Sequence, residues 1–197
     1  MISFKNMFAS IVLLSLGSYL IADESDRDIL VEFKGSIFVP SNELFDDVYG
    51  NCGDFGVEVT GNILDRLYAF FSADFIMKDG ATVELSSFTK INIVNLGLGV
   101  KYFVPFKHGD FYVGLGIEPT FIGLQNHTPA LQEQQAWVCG GIAKVGFIVD
   151  LASSLFLDFF VNYSFAKADF YTSQPLQINT TYLNGALFGI GLGYRFN

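Results

Sequence analysis

Basic residues are scarce in this chain, and long apolar runs are missing beyond its N-terminal segment. The 197 residues include 11 Lys and Arg against 20 Asp and Glu, a formal net charge of -9. Such an acidic chain is a poor candidate for binding nucleic acids, because proteins bind phosphate backbones through clustered Lys and Arg residues. Hydrophobic residues make up 51% of the sequence, yet no internal run approaches the roughly 20 residues of a membrane-spanning helix. These deficits argue against a nucleic-acid-binding protein and, beyond the N-terminal segment, against a helical membrane protein.

Histidine is also rare, which limits the catalytic chemistry available. The only two are His108, in the short segment PFKHGD, and His127, in the long connection QNHTP. The predicted topology puts them at opposite ends of the molecule, so they cannot share a site. A serine, histidine and acid set near the external lipid surface would have to use His127. We expect no enzymatic activity, no metal site and no cofactor.

The first 22 residues have the composition of a secretory signal peptide. They combine an early cation, Lys5, with an apolar run from about Phe8 to Leu16, and Ala22 precedes the acidic stretch DESDRD. A single membrane anchor is the alternative, although the segment is short and is interrupted by Gly17 and serines. The sequence therefore predicts a signal peptide over residues 1–22 and one domain over residues 23–197.

The rest of the chain alternates apolar and polar residues with the period of two that is typical of β-strands. Eight segments show the pattern: 29–39, 54–63, 66–78, 91–104, 111–121, 137–150, 155–166 and 185–197. Their connections are alternately long and short. Long connections at one end and tight turns at the other require an even up-and-down meander. The predicted fold is all-β, an eight-stranded antiparallel up-and-down transmembrane β-barrel.

The distribution of charge indicates which face of this barrel is inside. The polar parity of the eight segments carries six acids and six bases, whereas the apolar parity carries none. Charges enclosed in a narrow barrel must pair, because an unpaired buried ion costs several kcal/mol. The balance therefore favours a charged interior and a lipid-facing apolar wall over the alternative, a soluble lipocalin-like ligand carrier with an apolar interior. The predicted interior network contains Glu32, Lys34, Glu58, Asp74, Lys101, Glu118, Lys144, Asp158 and Arg195.

Glycines share the polar parity with several large aromatic residues. Where glycine omits a side chain, a crowded interior gains room for longer side chains. An eight-stranded barrel encloses just enough space for its own side chains, and Phe70, Phe156 and Phe160 are expected to help fill it. We therefore predict a barrel that blocks free diffusion; a narrow porin-like channel or small-ligand transporter is the alternative.

Three motifs resemble a known family. LGLGVKYF at residues 96–103, NYSF at 162–165 and LGYRF at 192–196 resemble the small eight-stranded outer-membrane barrels of the OmpA transmembrane domain, OmpX and opacity-protein type. The resemblance implies residence in the bacterial outer membrane, with contact to its lipid and a structural or surface-interaction role through external loops. It also implies that Leu192, Tyr194 and Phe196 form a C-terminal assembly signal for the barrel-insertion machinery. The external partner of the loops is not identified by the sequence.

The two cysteines, Cys52 and Cys139, both precede strands that descend from the predicted external rim. An exported protein can form disulfides, but the second and sixth strands lie far apart around a barrel. An internal disulfide, cross-links to other envelope proteins and free thiols all remain open at this stage.

Overall fold

The protein is a closed antiparallel β-barrel, as seen in a computed structural model that describes residues 28–81, 88–126, 134–171, 178–182 and 184–196. The predicted signal peptide, residues 1–22, lies outside the described residues. Within the described ranges, no helix combines the length and the apolar character needed to cross a membrane.

The barrel contains eight strands that follow the predicted segments. They are β1 (Ile29–Pro40), β2 (Cys52–Leu64), β3 (Leu67–Ala81), β4 (Phe88–Phe106), β5 (Gly109–Asn126), β6 (Gln134–Asp150), β7 (Leu155–Phe165) and β10 (Gly185–Phe196). Each strand pairs antiparallel with its neighbour in the chain. The last strand pairs with the first along its whole length, from Ile29 opposite Phe196 to Pro40 opposite Gly185. The predicted eight-stranded up-and-down barrel is therefore confirmed.

The two ends of the barrel have connections of different length, as predicted from the sequence. Short turns over residues 65–66, 107–108 and 151–154 lie at one end, called the turn end here, and the longer connections lie at the other, called the loop end. The first turn is fixed by Asp65, whose φ is 44° and whose carbonyl oxygen accepts a hydrogen bond of 2.8 Å from Asn62 Nδ2.

The long connections contain more regular structure than the alternation indicated. β4 and β5 run for 19 and 18 residues, well beyond the roughly 9–11 that cross a bilayer. β3, β5 and β6 also extend into segments predicted to be loops. A further hairpin, β8 (Lys167–Tyr171) with β9 (Ile178–Tyr182), forms within the predicted connection 167–182. Strand pairing continues beyond the lipid because neighbouring strands still satisfy each other's backbone groups in water.

A short helix, α1 (Glu43–Tyr49), lies in the first long connection. It begins after Asn42, whose carbonyl oxygen accepts hydrogen bonds from the amides of Phe45 and Asp46, and it ends at Gly50. Gly50 adopts a φ of 58°, which a glycine enters without steric cost. Ser41 N also donates to Asn184 O at 2.8 Å, so the base of this connection is joined to the chain just before β10.

Three layers of side chains fill the barrel. Along β1 the inward residues are Leu30, then Glu32 and Lys34, then Ser36, then Phe38. The prediction placed Phe70, Phe156 and Phe160 inside the barrel, and all three are buried there. It did not predict that the apolar side chains group into two layers, one on each side of the charged layer, and this is a correction. The loop-end layer contains Phe38, Phe45, Cys52, Ile76, Ile91, Ile93, Ile122, Ala166 and Leu187. The turn-end layer contains Leu30, Phe103, Tyr112, Ile148, Phe156 and Phe160.

Candidate functional site

The charged middle layer of the barrel is the candidate site, because it brings together ionisable side chains from seven strands. Its nine charged residues are all buried: Glu32, Lys34, Asp54, Glu58, Asp74, Lys101, Glu118, Lys144 and Asp158. Each lies on the inward parity of its strand, where period-two alternation puts it. Eight of the nine predicted network residues are thus inside the barrel; the ninth, Arg195, is only partly buried near the turn end.

Glu58 is the centre of this layer. Its Oε2 lies 2.9 Å from Lys34 Nζ and 2.6 Å from Lys144 Nζ, and its Oε1 pairs with Lys101 Nζ. Thr60 Oγ1 donates a further hydrogen bond of 3.2 Å to Oε1. One carboxylate from β2 therefore joins β1, β4 and β6 through the middle of the barrel, with charge-assisted hydrogen bonds to each.

Aromatic rings complete the surroundings of the three ammonium groups. Lys34 Nζ lies 4.2 Å from the centroid of the Phe160 ring, and Lys144 Nζ lies 4.3 Å from that of Phe70. Lys101 Nζ lies 4.0 Å from the centroid of the Tyr112 ring. These distances allow cation–π attraction, which is stronger in a desolvated site. The phenylalanines predicted to fill the interior therefore also solvate its cations.

Two of the other carboxylates accept hydrogen bonds from hydroxyl groups. Tyr112 Oη donates to Asp158 Oδ2 at 2.7 Å, and Ser36 Oγ donates to Asp54 Oδ2 at 2.6 Å. Each of these carboxylates keeps a second oxygen, Oδ1, without a hydrogen-bond partner, and so does Glu32 at Oε1. The middle layer is therefore incompletely paired on its acidic side.

The predicted balance of six acids and six bases is wrong for the buried interior, which contains six carboxyl groups and three lysines. Arg66 is exposed in the first turn. Lys78 reaches out to Asn51 O at 3.0 Å. Arg195 pairs with Asp110 at 2.9 Å and with Asp150 at 3.6 Å near the turn end. These three cations were assigned to the interior from their parity alone. Parity does not take into account how close a residue lies to the end of its strand.

Glycines leave the space that the large interior side chains occupy. A Cβ at Gly191 would overlap the Glu32 carboxyl group, and one at Gly193 would overlap the Phe156 ring. A Cβ at Gly189 would lie 2.5 Å from Phe160 Cζ. This agrees with the predicted role of the inward glycines as sites of close approach.

Both apolar layers close the barrel around the charged layer. At the loop end, Phe45 of α1 is buried and its ring meets that of Phe38 edge-on, with centroids 5.9 Å apart. At the turn end, Phe103 lies between Tyr68 and Tyr112, with ring centroids 4.5 and 5.4 Å away. A cavity of about 20 Å³ bordered by Asn95, Glu118 and Thr120 has room for about one water molecule. It is far too small to be a channel.

The outer wall of the barrel is apolar. Phe33, Trp137 and Leu98 expose 69%, 66% and 53% of their surface, and the same parity of every strand presents further large apolar side chains. Lys101, Lys144 and Asp158, by contrast, are at most 3% exposed. A soluble lipocalin-like carrier would have the opposite arrangement, so that alternative is excluded. Only lipid can cover a continuous apolar wall of this extent.

The predicted C-terminal assembly signal lies on this wall. Leu192, Tyr194 and Phe196 all point outward from β10, and the Tyr194 and Phe196 rings lie 4.7 Å apart. Aromatic residues at a strand end are typical of the interfacial girdles of membrane barrels. Their recognition by the insertion machinery stays a prediction.

The two cysteines are free thiols, so an internal disulfide is not formed. Cys52 is buried in the loop-end apolar layer, where its Sγ lies 3.4 Å from Gly50 O. Cys139 is exposed on β6, opposite Pro119 of β5. The separation of β2 and β6 around the barrel, which argued against an intramolecular bond, holds in the structure.

His108, the histidine within the described residues, does not contribute to the middle layer. His108 is exposed in the second turn, and His127 lies outside the described residues. In the described part of the chain, no three His, Cys, Asp or Glu side chains are grouped so that they could bind a metal ion. The predicted network omitted two residues of this cluster: Asp54, and Tyr112 of the turn-end layer, whose hydroxyl group reaches Asp158. Their inward parity was the available signal, but for Tyr112 it was weak because aromatics occur on both faces of the strands.

Comparison with solved structures shows the same architecture in several bacterial proteins. The outer membrane protein OprG from Pseudomonas aeruginosa superposes with a TM-score of 0.65 at 17% identity, over 86% of this chain and 96% of OprG. Outer membrane protein W of E. coli gives 0.55 at 18% identity, over 85% and 97%. The attachment invasion locus protein Ail of Yersinia pestis, solved with the heparin analogue sucrose octasulfate, gives 0.54 at 10% identity, over 86% and 97%.

These identities are low, and the likeness concerns the fold. No protein-family model matches the sequence, and comparison with curated proteins finds no relative. The antiparallel fold, the closure of the barrel between β1 and β10 and the apolar outer wall are nevertheless all features of a membrane-spanning β-barrel. The chain has the fold of the small eight-stranded outer-membrane β-barrels and, with an outer wall that only lipid can cover, is an integral protein of the bacterial outer membrane.

Proposed function

We propose that the protein is a closed, non-enzymatic outer-membrane barrel whose specific role is structural or surface-directed and is carried by its external loops. The observation that supports this most is the continuous filling of the lumen. An ion that entered at the loop end would have to pass Phe45 and Phe38, then the Glu58 cluster, then the turn-end aromatic layer. Each layer is held by contacts between opposite walls, so passage requires more than the movement of one side chain.

The charge of the loop end favours some external partners over others. On α1, the acidic side chains Glu43, Asp46 and Asp47 are all exposed, and the whole chain is acidic. Ail was solved with a polyanionic heparin analogue, but an acidic surface repels such a ligand. For this chain we therefore propose a partner that is neutral or basic rather than a sulfated polyanion.

Planar-bilayer conductance tests the closed barrel. The purified protein, shown to be folded by its heat-modifiable gel migration, should give no steady openings. The matched control is the same preparation after unfolding and refolding. Its heat-modifiable migration verifies that the protein giving no openings is folded. Steady, ion-selective openings from folded protein would overturn the proposal and support the alternative, a narrow channel or small-ligand transporter.

The surface role is tested by binding at the loop end. Sucrose octasulfate should not bind the folded protein above the level of a protein-free micelle. The triple variant Glu43→Lys, Asp46→Lys and Asp47→Lys, with its charge reversed on one exposed helix, should gain weak binding. Tight binding of the polyanion by the unaltered protein would contradict the proposed preference.

A further inference from the structure

The middle layer contains more carboxyl groups than its cations can neutralise. Six carboxyl groups and three lysines are buried there, and all three lysines pair with the same one, Glu58. If every group were ionised, the enclosed layer would carry three uncompensated negative charges. A buried carboxyl group in such surroundings is normally neutralised rather than left charged.

Two of the surplus carboxyl groups lie on either side of Gly191 of β10. Glu32 of β1 leans over this glycine, where its carboxyl group occupies the position of a Cβ. Asp158 of β7 is the partner of Gly191 in the ladder on the other side. Glu32 Oε1 and Asp158 Oδ1 are both buried without a hydrogen-bond partner. The strands β1 and β7 therefore each place an unsatisfied carboxyl oxygen at the level of Gly191.

A second pair of carboxyl groups, Asp54 and Asp74, lies beside Gly56 of β2. Asp74 of β3 is the ladder partner of Gly56, and its carboxyl group occupies the position of a Cβ there, with Cγ at 3.0 Å. Asp54 precedes Gly56 by two residues on the same inward face. Ser36 satisfies Asp54 Oδ2 at 2.6 Å, but Asp54 Oδ1 has no hydrogen-bond partner.

Glu118 of β5 is the remaining surplus carboxyl group. It is 2% exposed and borders the cavity of about 20 Å³ with Asn95 and Thr120. Among the ion pairs of the described residues, none includes Glu118.

We propose that the barrel interior is a binding site for three protons, one on Glu32 beside Asp158, one shared within the Asp54–Asp74 pair and one on Glu118. The charges then balance. Glu58, Asp158 and one member of the Asp54–Asp74 pair supply three negative charges, and Lys34, Lys101 and Lys144 supply three positive ones. Within the Asp54–Asp74 pair the protonated carboxyl group donates its O–H to the ionised partner, which uses the Asp54 oxygen that is otherwise unsatisfied. The protons enter from solvent when the chain folds.

The charge balance of the middle layer includes the side chains of every strand that packs against these groups. The inward titratable side chains of the middle layer are Glu32 and Lys34 on β1, Asp54 and Glu58 on β2, Asp74 on β3, Lys101 on β4, Tyr112 and Glu118 on β5, Lys144 on β6 and Asp158 on β7. β10 contributes glycines at this level. A bound metal ion is the less suitable neutraliser, since no group of three potential ligands forms in the described ranges.

Proton uptake on folding makes stability depend on pH with a defined sign. In the unfolded chain carboxyl groups are ionised above about pH 5, whereas the folded barrel retains three protons. The unfolded state therefore binds fewer protons, and stability falls as pH rises. Each retained proton changes the folding equilibrium constant about tenfold per pH unit, so three change it about a thousandfold. Acid should strengthen this barrel over roughly pH 5–7, above the range where unfolded carboxyl groups titrate and below the range where the folded groups lose their protons.

The test is urea unfolding of the full chain in detergent micelles at several pH values and constant ionic strength, followed by the fluorescence of Trp137. We expect a fall in the folding constant of up to about a thousandfold per pH unit between roughly pH 5 and pH 7. Infrared spectroscopy of the folded protein near pH 6, below which unfolded carboxyl groups begin to titrate, should also show the carbonyl band of protonated carboxyl groups. A folding constant that is independent of pH, that rises with pH, or that follows sodium concentration instead would overturn the proposal.

Amide variants locate the protons. Glu32→Gln, Asp54→Asn and Glu118→Gln each replace one proton-bearing site with a neutral group of similar shape, so the barrel should fold and the pH dependence should weaken about tenfold per pH unit for each. The triple variant should be nearly independent of pH. The matched control, Asp110→Asn, changes a carboxylate paired with Arg195 near the turn end and should leave the pH dependence intact. An unchanged pH dependence in the triple variant would refute the assignment.

Discussion

The charged middle layer and the outer wall obey different rules, although alternate residues of the same strands build both. The wall needs only apolar side chains of sufficient size, because lipid adapts to their shape. The middle layer depends on particular pairs, such as Glu58 with Lys34, Lys101 and Lys144. The effect of a substitution on stability should therefore depend on hydrophobicity at a wall position and on the geometry of specific contacts at an interior position.

The largest effect is expected from removing the centre of the inner layer. Glu58→Gln leaves three buried ammonium groups without their carboxylate, and breaking a buried ion pair typically costs about 3–5 kcal/mol. Urea unfolding followed by Trp137 fluorescence measures the loss of stability. Asp110→Asn, which breaks a pair near the turn end, should cost about 1 kcal/mol or less. Equal losses in the two variants would show that the interior cluster is not special.

The next largest effect tests the wall. Leu98, 53% exposed on β4, should face acyl chains near the middle of the bilayer, so Leu98→Arg should cost about 2–4 kcal/mol in lipid vesicles. Asp47→Arg on the exposed helix α1 is the control and should be nearly neutral. If both variants were tolerated equally, the assignment of the wall to lipid would be wrong.

A smaller effect compares the two faces through glycine alone. At Gly99, a Cβ would overlap Leu115 O and lie 2.6 Å from Gly116 Cα and 2.8 Å from Phe70 Cε1, whereas at Gly35 it would meet nothing within 4 Å. Gly99→Ala should therefore cost roughly 1–3 kcal/mol through overpacking. Gly35→Ala should change the free energy of unfolding little. The comparison fails if Gly35→Ala proves the more damaging substitution.

The smallest effect concerns the loop end, where α1 covers a native thiol. Cys52 is fully buried beneath the layer that Phe45 completes. In a Cys139→Ser background, a water-soluble maleimide should react slowly with Cys52, and Phe45→Ala should accelerate the reaction several-fold. Phe45→Leu, which preserves most of the apolar contact, should stay close to the unaltered protein. Rapid labelling without any substitution would show that α1 does not seal this end.

The sequence allowed the wall to be predicted almost completely, because one property repeated at a fixed period defines it. Phe33, Leu98 and Ile190 each followed from the parity of their strands. The convergence of Lys34, Lys101 and Lys144 on Glu58 could not be predicted, since it depends on how far each strand is staggered relative to its neighbours.

Phe156 and Phe160 were predicted to lie inside, but the grouping of apolar side chains into two layers was missed for a related reason. Phe38, Ile76 and Ile122 are apolar residues on the otherwise polar parity, and alternation treats them as exceptions rather than as a group. Only the closed barrel brings them to one level. The hairpin β8–β9 and helix α1 are likewise set by local turn and capping chemistry, which a period of two does not report.

The seam between β1 and β10 joins the first and last strands of the barrel, from Ile29 opposite Phe196 to Pro40 opposite Gly185. A nascent or truncated chain without β10 has two unpaired strand edges, which lipid cannot satisfy. A partial barrel is therefore unstable in the membrane, and the barrel cannot close until β10 is available to pair with β1. The pairing of these two strands, far apart in the sequence, is thus the step that distinguishes a correctly assembled chain from an incomplete one.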